Sequence, residues 1–196
     1  AAVRVLGARD TLAEIERISG LLDSAGIGPG DIAALFLRNS VDFVCVFLAL
    51  LRVGAVPAPL KLEYRAAELE QIFANAQPAA VVAEAAHLPH LEPYLADTTV
   101  FAREAAGLRL LRRRGRSAPA APLPAETASV NYTYRGIGLP LGALVPHRQY
   151  HDGAEILQGG LQGQPGEKML VVLPLSHIFA LVGCLFVPLL YGMTAV

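Results

Sequence analysis

The chain has 196 residues, 54% of them hydrophobic and 17% charged, and 16 Lys and Arg against 17 Asp and Glu give a formal net charge of -1. Such a composition excludes disordered and collagen-like chains and supplies no basic field to hold a nucleic acid. The length allows one large or two small domains with a core that needs no disulfide staples. Cys45 and Cys184 lie in apolar runs with no second thiol or His at metal-ligand spacing, so they read as buried, reduced thiols and favour a cytoplasmic location. The opening AAVRVLGARD lacks the pattern of a signal peptide.

In chain order, Thr11 with Glu14 three residues later forms a capping-box pattern for a first helix ending near Gly26, with Leu12, Ile15, Ile18, Leu21 and Leu22 as its apolar stripe. IAALFL has the length and apolarity of a buried strand, 32 to 37. Asn39 or Ser40 caps a second helix, 41 to 52, which places Asp42 near its start and Arg52 near its end, and Gly54 stops it. A strand at 56 to 60, a helix at 66 to 75 and a strand at 80 to 83 follow, so the pattern predicts an α/β fold of parallel or mixed sheets flanked by helices. These elements place a first subdomain at 1 to 107. The Arg- and Ala/Pro-rich stretch 108 to 127, containing Arg112, Arg113, Arg114 and Arg116, reads as a surface loop or linker.

The segment 128 to 196 begins with a β-rich approach, SVNYTY, and then a glycine-rich turn with Gly136, Gly138 and Gly142 before the apolar ALV. The glycines let the backbone approach something closely, and a loop from Tyr134 to Gly142 between β segments is expected. The pattern is no dinucleotide fingerprint, because Pro140 interrupts it and a strand follows where a helix is needed. No Gly-Lys-Ser/Thr of a Walker loop occurs. Residues 169 to 196, 28 in all, contain no Lys, Arg, Asp or Glu. Their length suits a membrane span, but Pro174, Pro188, Gly183 and Gly192 argue instead for a buried strand, 169 to 173, and a buried helix, 177 to 191. The apolar stop at MTAV suggests a chain cut from something larger, with a surface that can drive self-association into a homo-oligomer.

Three stretches, SGLLDSAGIGPGDIAALFLRNSVDFVCVFLALLRVGAVPAPL, NYTYRGIGLPLGALVPHRQY and EKMLVVLPLSHIFALVGCLFVPLLYGMTAV, carry a resemblance over nearly the whole chain. Together they resemble the N-terminal part of the AMP-forming acyl-adenylating enzymes, the superfamily of acyl-CoA synthetases, luciferases and nonribosomal adenylation domains. The family's phosphate loop reads approximately Tyr-Thr-Ser-Gly-Thr-Thr-Gly-x-Pro-Lys-Gly. Tyr132, Thr133, Gly138, Pro140 and Gly142 match it, whereas Tyr134 replaces the serine, Arg135 a glycine, Gly136 and Ile137 the two threonines, and Leu141 the lysine. The resemblance implies nucleotide binding by Thr133, Arg135, Gly136, Gly138 and Gly142, with Arg135 able to fork onto two phosphate oxygens in place of the missing lysine. LPLSHIFAL matches a second family motif and implies that His177 and Phe179 wall the acyl pocket; from the residue alone, His177 also reads as a helix-start His satisfied by the backbone, with Ser176 as the cap. His147 matches the end of the loop in a structural role.

The implied activity is that of an ATP- and magnesium-dependent ligase that joins a carboxylic acid to AMP and then to a thiol such as coenzyme A. No catalytic residue is expected within these residues, since the magnesium, ribose and catalytic-lysine sites of the family would follow position 196, and the remaining part of the chain would be the partner. The alternative is a non-catalytic relative, an acyl-binding or scaffold module whose phosphate loop has decayed, which Tyr134, Arg135, Ile137 and Leu141 favour. No metal site is expected: His147 with His151, and His87 with His90, each lack a convincing third ligand. Ser176 and His177 do not form a hydrolase pair, because adjacent side chains at a helix start diverge.

Overall fold

The structure, a computed structural model, describes residues 6–114, 122–135 and 137–196. Its centre is a five-stranded sheet of β1 (Ile32–Phe36), β2 (Val56–Pro59), β3 (Ala80–Glu84), β4 (Thr99–Glu104) and β5 (Gly107–Arg112). The order is β2-β1-β3-β4-β5, parallel throughout except for β5, so the expected α/β class with a mixed sheet holds. Strand alternation divides the core. Ala33 and Leu35 of β1 and Ala80 and Val82 of β3 face one way; Ala34, Phe36, Val81 and Ala83 face the other.

On the first face lie α1 (Ala8–Ser24) and α2 (Val41–Arg52), which bury Ile15, Ile18 and Leu22 and Phe43, Val46, Phe47 and Leu50. α3 (Ala66–Ala76) covers the second with Leu69, Ile72, Phe73 and Ala76. Ser40 caps α2, its hydroxyl accepting from Phe43 N at 3.1 Å, and Asp42 takes Arg103 Nε of β4 at 2.7 Å. α1 departs from its expected start. Gly7 precedes the helix, Thr11 lies inside it with Oγ1 donating to Gly7 O at 2.9 Å, Glu14 turns to Arg17, and Leu12 is exposed. Four residues that precede Thr11 are already helical or flank the helix, so its hydroxyl has no free N-terminal N–H to cap.

The stretch expected to be a linker from 108 begins as β5. Only Ala105 and Ala106 separate it from β4, and so short a link permits only antiparallel return. Leu108 and Leu110 pack on the core, while Arg109 pairs outward with Glu104. Residues 115–121 of that stretch lie outside the described ones. After β3 a short helical passage includes α4 (Leu88–Leu91).

β6 (Thr127–Arg135) and β7 (Ile137–Pro146) form a second sheet, an antiparallel hairpin with β6 lying against β2. The glycine-rich segment is thus strand nearly throughout: Tyr132 pairs with Gly142 and Thr133 with Leu141, where a loop from Tyr134 to Gly142 was expected. Alternating bulky residues at Tyr132, Tyr134, Leu139 and Leu141 favour pairing over an open loop. α5 (His147–Leu161) follows, and Tyr150 joins Phe47 of α2 to Phe186, stacking on the latter at 4.5 Å between ring centres.

The last 28 residues are neither a long strand nor a regular helix. β8 (Lys168–Met169) pairs in parallel with β9 (Thr194–Ala195), while Leu170, Val172 and Leu173 are exposed because no layer of described residues covers them. The helical run is α6 (Ile178–Ala180), a π-helical stretch Leu181–Phe186 and α7 (Val187–Leu190). Pro188 has no N–H to offer the carbonyl four residues back and crowds it, so the preceding turn widens. No helix among the described residues is long and apolar enough to cross a membrane.

Two expectations for stability follow. Glu84, 9% exposed at the end of β3, holds Arg38 with Nε at 3.0 Å from each carboxylate oxygen and Nη2 at 2.6 Å from Oε2. Burial pushes the carboxyl up, but the bonds and charge of Arg38 more than offset it, and its pKa falls below the usual 4.5. A carboxyl depressed in the folded state stabilises above its unfolded pKa and ceases to do so as pH falls through the folded value. Urea unfolding from neutral pH to below about pH 4 should therefore show a smaller acid-induced loss in Glu84→Gln than in the unaltered chain; parallel curves would remove the ion pair from the acid response. At Gly142 an added Cβ would lie 2.9 Å from Val130 Cγ1 and 3.2 Å from Tyr132 Cζ. Gly142→Ala should lower the urea-unfolding free energy by about 1–3 kcal/mol through overpacking, while Gly138→Ala, in open space at φ +84°, should lose about 1 kcal/mol through backbone strain alone.

Candidate functional site

The β6–β7 hairpin gathers most of the residues singled out for nucleotide binding. Its two faces differ sharply. One face docks on α3: Tyr132 Oη donates to Asn75 Oδ1 at 2.8 Å, Tyr134 Oη to Glu68 Oε1 at 2.5 Å, and Gln71 Nε2 to Pro140 O at 3.2 Å. Glu68, Gln71 and Asn75 fall at helical spacings of three and four, so they form one polar stripe aimed at the hairpin. Tyr64 adds an Oη donation to Tyr132 O at 3.2 Å and an edge contact to Tyr134, and Lys61 Nζ stands 5.9 Å and 5.5 Å from those two rings, within cation–π range.

Charges on this docked face are settled. Glu68 accepts from Tyr134 and from Arg65 N at 2.7 Å, and those bonds hold its carboxyl below the usual range. Burial pushes the Tyr132 phenol up to about 12, so it stays a donor at neutral pH. The packing also gives Gly142 its reason, since the ring of Tyr132 and Val130 occupy the place of a side chain there.

Thr133 and Leu141, paired with each other, are exposed on the opposite face. Gly138, in the left-handed region with nothing within 4 Å of a would-be Cβ, leaves the backbone open to a ligand near the turn. Gly136 and the side chain of Arg135 lie outside the described residues. Thr133 Oγ1, the open backbone about Gly138 and their position at a hairpin end suit a phosphate group; no cation from Leu141 can assist it.

His177 and Phe179 stand elsewhere, at the start of the last helical run, and both are exposed. His177, and not Ser176, caps it: Nδ1 accepts from Phe179 N at 3.3 Å, which puts the ring proton on Nε2, facing away from that bond. Asn39 fixes the approach to this turn, donating to Leu173 O and accepting from Leu175 N, both at 2.7 Å. Among the described residues no hydrogen bond, ion pair or ring contact joins His177 or Phe179 to the hairpin.

The histidine pairs are engaged separately. His147 opens α5, its N–H donating to Glu126 O at 3.0 Å, and His151 lies 3.6 Å from Asp152, which also takes Arg148 at 2.9 Å. His90 Nε2 is 3.0 Å from Tyr64 O, and His87 sets its ring edge-on to Phe36. No three His, Cys, Asp or Glu side chains converge on a metal-sized point among the described residues. Sequence reasoning missed the α3 stripe and Lys61, although the spacing of Glu68, Gln71 and Asn75 was visible as a polar stripe flanking Leu69, Ile72 and Phe73.

Comparison with known proteins adds four findings. The chain is 29% identical over 178 residues to the long-chain-fatty-acid–CoA ligase FadD13 of Mycobacterium tuberculosis, covering 87% of this chain and 35% of the relative. It is 27% identical over 186 residues to the 4-chlorobenzoate–CoA ligase of an Arthrobacter species, covering 89% and 34%. The chain thus spans about a third of the length of these relatives. Among solved structures, apo and ATP-bound MatB from Rhodopseudomonas palustris share the fold with a TM-score of 0.82, at 23% and 22% identity, over 100% of this chain and 41% of theirs. The model of the AMP-binding enzyme family matches residues 4–196, and with the hairpin in place behind β2 the chain belongs to that family.

Proposed function

We propose that this chain is the N-terminal part of an ATP-dependent acyl–CoA-synthetase-like ligase. The observation that carries the reading is the hairpin: a family-matched strand pair, anchored on α3 by one face, presents Thr133 and the open backbone at Gly138 on a free edge. In the reaction a carboxylate oxygen bonds to the α-phosphorus of ATP as the bond to the pyrophosphate oxygen breaks. A thiol such as that of coenzyme A then attacks the acyl carbon and AMP leaves with the carboxylate oxygen. The residues here bind and orient: the Thr133 hydroxyl and the hairpin N–H groups take phosphate oxygens, Arg135 supplies the charge that Leu141 cannot, and His177 Nε2–H with Phe179 faces the acyl group. Magnesium, when bound, neutralises phosphate charge; the described residues offer no cluster of acids to ligate it, and none is assigned to it.

Leu141, 47% exposed where the resemblance places a lysine, favours a second reading, a non-catalytic acyl-binding relative. Calorimetric titration of the whole ligase with ATP and magnesium decides between them. The expected result is micromolar binding that weakens at least tenfold, about 1.4 kcal/mol, in Arg135→Ala. No binding to the unaltered protein would replace the ligase reading with the non-catalytic one.

A further inference from the structure

The free face of β6 holds a buried polar group that the fold leaves unsatisfied. Ser129, Asn131 and Thr133 share this face, since their pairing with Val145, Ala143 and Leu141 runs without a register shift. Exposure rises along the row, from 0% at Ser129 through 5% at Asn131 to the exposed Thr133. Ser129 Oγ lies 2.7 Å from Asn131 Oδ1 and 2.7 Å from Tyr150 Oη. Asn131 Nδ2 has no hydrogen-bond partner among the described residues, although it is buried.

The direction of this chain is set by counting protons. Ser129 has one hydroxyl proton and gives it to Asn131, so Tyr150 must donate to Ser129. Turning the amide over would let Nδ2 donate to Ser129 Oγ, but would orphan the amide oxygen together with one hydroxyl proton, of Ser129 or of Tyr150. The arrangement present leaves the fewest groups unpaired. Burial, partly offset by the Ser129 bond, pushes the Tyr150 phenol up to about 12, which keeps that donor protonated.

An unpartnered buried amide bears the full cost of desolvation, and an apolar side chain of similar size would avoid it. Groups of this kind persist where they serve a ligand. We propose that Asn131 is a binding residue whose Nδ2 donates to an oxyanion oxygen entering along the β6 face past Thr133, from a phosphoryl group or a carboxylate. The inference rests on the ligase reading and adds to it a donor outside the glycine-rich turn.

The test uses the whole ligase, unaltered and as Asn131→Leu and Asn131→Asp, titrated separately with magnesium ATP and with octanoate as the probe carboxylate, with thermal unfolding midpoints measured alongside. A folded Asn131→Leu variant should bind one probe at least tenfold more weakly, and the weakened probe identifies the oxyanion; its midpoint sums the relief of the unpaired amide against the Ser129 proton that loses its acceptor. Asn131→Asp keeps the shape, removes the donor and should weaken the same probe; it decides by the same readout if the Leu variant does not fold. Unchanged affinity for both probes in a folded variant would overturn the proposal and leave the amide to a buried water. Binding of neither probe by the unaltered protein would overturn the ligase reading, and the proposal with it.

Discussion

Burial of one parallel sheet on both faces is the constraint from which the rest of the structure follows. A strand covered on both sides must place apolar groups at every position, and along β1 the successive pairs Ala33–Ala34 and Leu35–Phe36 send a small and then a large residue to each layer. The alternation lets α1 and α2 close on one side and α3 on the other. It also leaves the polar groups to the strand ends, where Glu84 receives Arg38 and Asp42 receives Arg103. Both pairs tie elements distant in sequence, so each acts as a clasp on the stacking order set by the apolar layers.

The β6–β7 hairpin extends the same two-sidedness to the candidate site. Val130 and Tyr132 join the α3 layer, whereas Ala128 joins the α2 layer with Tyr150. A strand with one face committed to docking has only the other for a ligand. In the family's loop a serine and a lysine occupy the positions that Tyr134 and Leu141 hold here; the phenol of Tyr134 is spent on Glu68, and its ring on Tyr64 and Lys61. The Tyr134 hydroxyl is thus an anchoring one, and the exposed hydroxyl of the hairpin is that of Thr133 on the opposite face.

The final helical run shows how a local irregularity aids long-range packing. The π-helical stretch before Pro188 rotates the following residues relative to those before it, and Leu181, Leu185 and Val187 all remain buried. Phe186 stays on Tyr150, which in turn holds Ser129. Aromatic stacking therefore connects the segment bearing His177 and Phe179 with the interior end of β6.

Sequence by itself determined the α/β class, three of the five strands of the central sheet, a cap for α2 at Asn39 or Ser40 and the resemblance carried by the glycine-rich and LPLSHIFAL segments, because apolar period, cap chemistry and motif spacing are properties of neighbours in the chain. It misread Leu108 to Arg112, whose Leu-Arg-Leu start was masked by the following arginines, and it read an open loop from Tyr134 to Gly142 where the described residues form a paired hairpin. Only tertiary structure decided which face of that hairpin is spent on α3, that Gly142 makes room for the Tyr132 ring, and that the amide of Asn131 is buried without a partner. Those facts depend on contacts between residues tens of positions apart, Glu68 with Tyr134 and Asn75 with Tyr132, and no local pattern encodes which distant group will fill or fail to fill a hydrogen-bonding site.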